Sequence, residues 1–71
     1  MSPWPATKAR RVLAALLSIG WKVKRDRGGS HRRLSRVGWH DYTFAFHDND
    51  EIGPVMLAKI AAKTGLKPAD L

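Results

Sequence analysis

Apolar residues first recur at spacings of three and four, as Ala9, Val12, Leu13, Leu16 and Leu17, with Lys8, Arg10, Arg11 and Ser18 between them. This pattern predicts an amphipathic helix whose first turn can accommodate Pro5 and which stops at Gly20, a residue suited to the left-handed backbone of a helix end. From Trp21 the period changes to two. Trp21, Val23 and Arg25 alternate with Lys22, Lys24 and Asp26, as in a half-buried strand. Arg27-Gly28-Gly29-Ser30 reads as a hairpin turn, and Ser30 to Val37 as a weaker strand with Leu34 and Val37 as its only apolar residues. Gly38 to Asp41 reads as a second turn, followed by the strand Tyr42 to His47, whose aromatics alternate with smaller residues. Asp48 to Gly53 reads as a polar loop. Pro54 then opens a second helix, with Met56, Leu57, Ile60, Ala61 and Thr64 as its apolar stripe and Gly65 as its end.

The predicted order is therefore α-β-β-β-α, an α+β fold in which two helices pack on one face of a three-stranded antiparallel sheet and leave the other face to solvent. Trp21, Val23, Leu34, Tyr42, Phe44 and Phe46 are the residues expected on the covered face. Their parity sends Lys22, Lys24, His31, Arg33, Ser35, Thr43, Ala45 and His47 outward. It also sends Arg32 and Arg36 inward, which requires snorkelling at the sheet edge or a bulge.

Size narrows the function. The chain has 71 residues and reads as a single domain spanning all of them. A chain of this size buries only about 60% of its unfolded surface, too little to enclose a deep substrate pocket. No cysteine is present, which excludes a disulfide scaffold, thiolate-bound zinc and a cysteine nucleophile. No metal site or cofactor motif is visible, and no apolar run approaches a membrane span. A cytoplasmic protein without membrane association is the expectation.

The net charge of +7 is unevenly spread: residues 1–36 carry ten basic residues against one acid, and residues 37–71 carry three against five. So concentrated an excess suits the phosphate backbone of a nucleic acid, although a solvated surface and an acidic protein partner are alternative uses for it. Lys22, Lys24, Arg25, Arg27, Ser30, Arg32 and Arg33 are the candidate nucleic-acid contacts. His31 follows the glycine turn and adjoins Arg32 and Arg33. A neutral imidazole there can take the proton of an RNA 2′-hydroxyl while cations stabilise charge on the phosphate. If the hairpin turns about Gly38 to His40, His47 stands opposite His31 as a second participant; otherwise it only ends a strand. Asp48 to Gly53 resembles a calcium loop briefly, but Ile52 and Lys59 occupy ligand positions. Its acids are expected near the start of the second helix, where the dipole favours them. Trp4 and Trp39 can stack on bases or close the ends of the core.

Gly20-Trp21, Arg25, Arg27-Gly28-Gly29-Ser30-His31, His47, Leu57, Ile60 and Thr64-Gly65-Leu66 together resemble the HicA toxins of bacterial toxin–antitoxin pairs. The resemblance covers Lys8 to Leu71. It implies a double-stranded-RNA-binding-like fold, ribonuclease activity on messenger RNA with His31 as the required histidine, and inhibition by an acidic HicB antitoxin. A non-catalytic module binding double-stranded RNA on the same fold is the alternative.

Overall fold

The computed structural model describes residues 3–26 and 31–71. Along the chain come β1 (Thr7–Lys8), α1 (Ala9–Ser18), β2 (Lys22–Asp26), β3 (Arg32–Ser35), β4 (Tyr42–Phe44), β5 (Glu51–Ile52), α2 (Pro54–Thr64) and a 3-10 turn at Pro68–Asp70. The expected turn at Arg27–Ser30 lies outside the described residues. Strands β2, β3 and β4 form an antiparallel sheet in that order, and β1 pairs with β5 in a separate two-stranded ribbon. Two helices and a three-stranded antiparallel sheet make the fold α+β.

The ribbon was not foreseen, and it explains why α1 starts later than Pro5. Thr7 is drawn opposite Ile52 and Lys8 opposite Glu51. The loop between β4 and β5 then serves as the cap of α1: Ala9 N–H donates to the Asp50 carbonyl at 2.8 Å and Arg10 N–H to the Asp48 carbonyl at 3.1 Å. These satisfy two of the N–H groups that a helix start leaves unpaired. Lys8 Nζ and Arg10 Nη2 tie the same loop down through Asn49, at 3.2 and 2.7 Å. Asp48 and Asp50 thus sit at the start of α1, not of α2 as expected; the ribbon, a contact distant in sequence, places them there.

Both helix ends follow the sequence pattern. Gly20 has φ 111° and lets Trp21 N–H return to the Leu16 carbonyl at 3.1 Å. Pro54 opens α2, and Gly65, at φ 75°, closes it with its N–H on the Ala61 carbonyl. Val12 and Leu16 of α1, Leu57 and Ile60 of α2, Ile52 of β5, Leu66, and Trp21, Leu34 and Phe44 of the sheet layer form one buried cluster. Each such large apolar side chain contributes about 1.5–3 kcal/mol by leaving water. Buried Trp21 also needs a partner for its indole N–H, and finds it 3.0 Å away in the Thr64 carbonyl at the end of α2.

The hairpin of β3 and β4 reverses earlier than expected, in a turn closed by Trp39 N–H on the Arg36 carbonyl with Gly38 at φ 85°. Leu34 therefore faces Tyr42, Arg33 faces Thr43 and Arg32 faces Phe44, two residues from the expected frame. An even shift keeps every side chain on its own face, so Leu34 and Phe44 are buried as expected. It does separate the two histidines: one more step in this frame puts Ala45, not His47, opposite His31. Tyr42 and Phe46 are half-buried against the cluster, whereas Val23, on the edge strand, is 43% exposed. Leu17 and Met56, expected in the helix stripes, are exposed as well.

A β-carbon on Gly65 would fall 2.8 Å from Trp39 Cη2, whereas one on Gly38 would meet nothing within 4 Å. Both residues have positive φ, which costs an alanine about 1–2 kcal/mol. Chemical denaturation should show Gly65→Ala to be the more destabilising of the two, the excess over Gly38→Ala measuring the Trp39 contact.

Candidate functional site

The solvent-facing side of the sheet carries a shallow depression of about 580 Å³, lined by Lys24, Arg25, His31, Arg33, Asp41 and Thr43. A bulge in β2 creates it. Val23 pairs with Leu34 but Arg25 pairs with Arg33, so Lys24 is an extra residue in the ladder. A simple alternation would turn Arg25 to the covered side with Val23, as the sequence pattern suggested. The inserted residue instead brings Arg25 onto the open face with Lys24 and Arg33, and leaves Asp26 opposite inward-facing Arg32.

Within the depression the cations converge on one carboxylate. Lys24 Nζ donates to Asp41 Oδ2 at 3.0 Å, and Arg33 Nε lies 3.7 Å from the same oxygen. Arg33 Nη1 also donates to Thr43 Oγ1 at 2.8 Å, across the pair that β3 and β4 make. The Asp41 carboxyl is held below the ordinary carboxylate range. The hydrogen bond from Lys24 is the main cause; desolvation opposes it, and the charges of Lys24 and Arg33 add to it. Exposed His31 stands immediately before β3, on the wall of the same depression. The arrangement suits an extended anion lying along the sheet with an imidazole beside it.

Of the residues singled out in the sequence, Lys24, Arg25, His31 and Arg33 meet here. Arg27 and Ser30 lie outside the described residues. Lys22 is exposed on β2, opposite Ser35, and does not line the depression. Arg32 takes the other face: its side chain is 14% exposed, with Nε 3.5 Å from Asp26 Oδ2 and Nη1 3.2 Å from Asp48 Oδ1. The Asp48 contact is an ion pair without hydrogen-bond geometry. His47 belongs to the loop that caps α1. Its N–H donates to Asp50 Oδ2 at 2.9 Å and its carbonyl accepts from Asp50 N–H at 2.9 Å. Asp41 and Thr43 were missed as site residues. The one available signal was an isolated acid directly after the turn that follows the basic strand β3.

Among the described residues no three His, Asp or Glu side chains gather as a metal site requires, and no helix is long and apolar enough to cross a membrane.

Residues 9–66 match the family model described as the HicA toxin of bacterial toxin-antitoxin. The chain belongs to the HicA toxin family. No curated protein and no solved structure matches it. The matched segment runs from the first residue of α1 to Leu66, so the HicA domain contains both helices, β2 to β4 and every residue lining the depression. Membership gives the chain a toxin role in a toxin–antitoxin pair.

A depressed carboxyl pKa means that the Asp41 contacts are present above the unfolded value near 3.8 and are lost only as pH falls through the lower folded value. An NMR titration of the Asp41 carboxyl carbon should have its midpoint below 3.8, and Lys24→Met should move it upward.

Proposed function

We propose that this HicA toxin is a small endoribonuclease that cleaves messenger RNA by attack of a ribose 2′-hydroxyl on its own 3′-phosphate. What carries the reading is that His31 shares one open depression with Lys24, Arg25 and Arg33, so that a base and phosphate-binding cations reach the same stretch of backbone. His31 accepts the 2′-hydroxyl proton as that oxygen bonds to phosphorus and the bond from phosphorus to the 5′-oxygen breaks. Lys24 and Arg33 stabilise the charge on the non-bridging oxygens, and Arg25 holds the neighbouring phosphate. The leaving 5′-oxygen takes its proton from water, which an open depression admits. The products are a 2′,3′-cyclic phosphate and a 5′-hydroxyl end.

Size is no obstacle to this chemistry. The substrate is a backbone that lies on the surface, and the step needs one base and fixed cations, not an enclosed cavity. Arg32 has its charge answered by Asp26 and Asp48 on the covered side, so it supports the sheet and does not bind phosphate. His47 does not line the depression, so the proposed proton transfer is assigned to His31 alone. The same cations offer an acidic HicB-type antitoxin a surface on which to occlude the site, and messenger RNA places the toxin's work in the cytoplasm.

A general base contributes about 10²–10⁴-fold, so His31→Ala should slow cleavage of RNA by that factor while its circular dichroism and melting curve stay those of the wild type. Undiminished cleavage by the folded variant overturns the assignment; wild-type protein that binds RNA and returns it intact reduces the chain to a binding module.

Lys24→Ala and Arg33→Ala should each weaken RNA binding and lower the slope of log affinity against log salt by about one, as expected for the loss of one phosphate contact. Fluorescence anisotropy across a salt series measures both quantities.

A further inference from the structure

A second depression, of about 550 Å³, adjoins the first and is lined in part by Trp39, His40, Asp41, Tyr42, Thr43 and Lys63. Asp41 and Thr43 line both. A chain whose phosphates follow Lys24, Arg25 and Arg33 can continue over Asp41 and Thr43 into the cleft that Trp39 lines.

That indole is exposed and braced at once. Trp39 remains 42% exposed. The Arg36 guanidinium carbon lies 5.2 Å from its ring centroid, and Trp21 meets it edge-on with centroids 6.1 Å apart. Gly65 lies against the far edge of its six-membered ring, in a space too tight for a β-carbon. The backbone is fixed too, because Trp39 N–H closes the turn on the Arg36 carbonyl at 3.0 Å. A large aromatic surface held in one position loses little entropy when a flat group settles on it. Polar groups suited to a base edge stand around it in His40, Asp41, Tyr42 and Lys63. Partial burial of Tyr42 pushes its phenol above the ordinary range, so it stays a neutral hydrogen-bonding group.

Aromatic surface beside phosphate-binding cations is the chemistry that holds unpaired nucleotides: the cations take the backbone and the ring takes a base. A base locked in a duplex cannot turn onto Trp39. We infer that the cleft at Trp39 is a nucleobase subsite, so that the RNA held by the neighbouring depression is single-stranded, with one base stacked on Trp39. This rests on the RNA-cleaving reading of that depression.

The test uses short single-stranded 2′-O-methyl oligoribonucleotides, which lack the attacking hydroxyl and remain intact, in two forms with equal numbers of phosphates: one with all its bases and one abasic. Wild-type protein should bind the base-bearing form about 5- to 150-fold more tightly, the range expected from stacking of one base. In NMR spectra of the wild type, the Trp39 indole N–H should shift with the base-bearing form only, while the Trp21 indole N–H, bonded to the Thr64 carbonyl, stays in place. Trp39→Leu should abolish the preference while keeping wild-type affinity and salt slope for the abasic form, and Lys63→Ala, at an exposed position, should reduce the preference without affecting folding. Equal affinity of the wild type for both forms, or an unmoved Trp39 indole, overturns the subsite and leaves the cleavage reading standing. Failure of the wild type to bind either form at low salt overturns both.

Discussion

The hydrogen bond from Trp21 to the Thr64 carbonyl fixes the frame on which the rest of the structure is built. Trp21 follows the end of α1, precedes β2 and is almost wholly buried, so its indole N–H must find an acceptor inside the protein. The end of α2 supplies one, because the last carbonyls of a helix have no partner within it. Thr64 completes the junction: its hydroxyl donates back to the Ile60 carbonyl at 2.7 Å and accepts from Leu66 N–H at 3.3 Å. Trp39, at the tip of the β3–β4 hairpin, then lies against Trp21 and over Gly65. Helix end, strand start and hairpin tip thereby meet at one point, which orients the open face of the sheet relative to α2.

The distribution of charge acquires a different meaning once the side chains are placed. Much of the basic excess serves the fold itself. Lys8 and Arg10 hold Asn49, Arg32 is balanced by Asp26 and Asp48, and Arg36 lies over Trp39. Among the described residues the depression presents a smaller group of Lys24, Arg25 and Arg33, with Asp41 among them. Net charge by itself therefore overstates the footprint available to a phosphate backbone, and the contacts each cation already makes define it better.

The sequence was most readable where a signal is local. Threefold and fourfold spacing located both helices, glycines marked their ends, and alternation marked the strands. The covered face was also recognisable, and it tolerated an error in the turn because the resulting shift was even. Three features were hidden for a common reason. The β1–β5 ribbon, the extra residue at Lys24 and the convergence of Lys24 and Arg33 on Asp41 all depend on partners distant in sequence. Neither periodicity nor propensity encodes which of two consecutive residues a ladder will skip. His31 was legible as a candidate from its position after a glycine turn beside basic residues, but the pairing with His47 required a register that a turn near Gly38 could not fix.

The bulge raises a problem that Asp41 resolves. It sets Arg25 directly across from Arg33 with Lys24 alongside, and like charges directly opposite one another weaken a pair of strands. A single carboxylate from the segment just before β4 lies within reach of Lys24 and Arg33, so the cations can crowd together without a negative ligand present. Exposed ion pairs of this kind contribute little to stability, so the arrangement is held loosely enough to be exchanged. An incoming phosphate offers the same cations oxygens of the same charge. It can take over from Asp41 with little rearrangement of Arg33, whose guanidinium stays anchored on Thr43. For the RNA cleavage proposed above, an open site that cannot exclude water depends on cations already positioned for an anion, and Lys24 and Arg33 are held in that way.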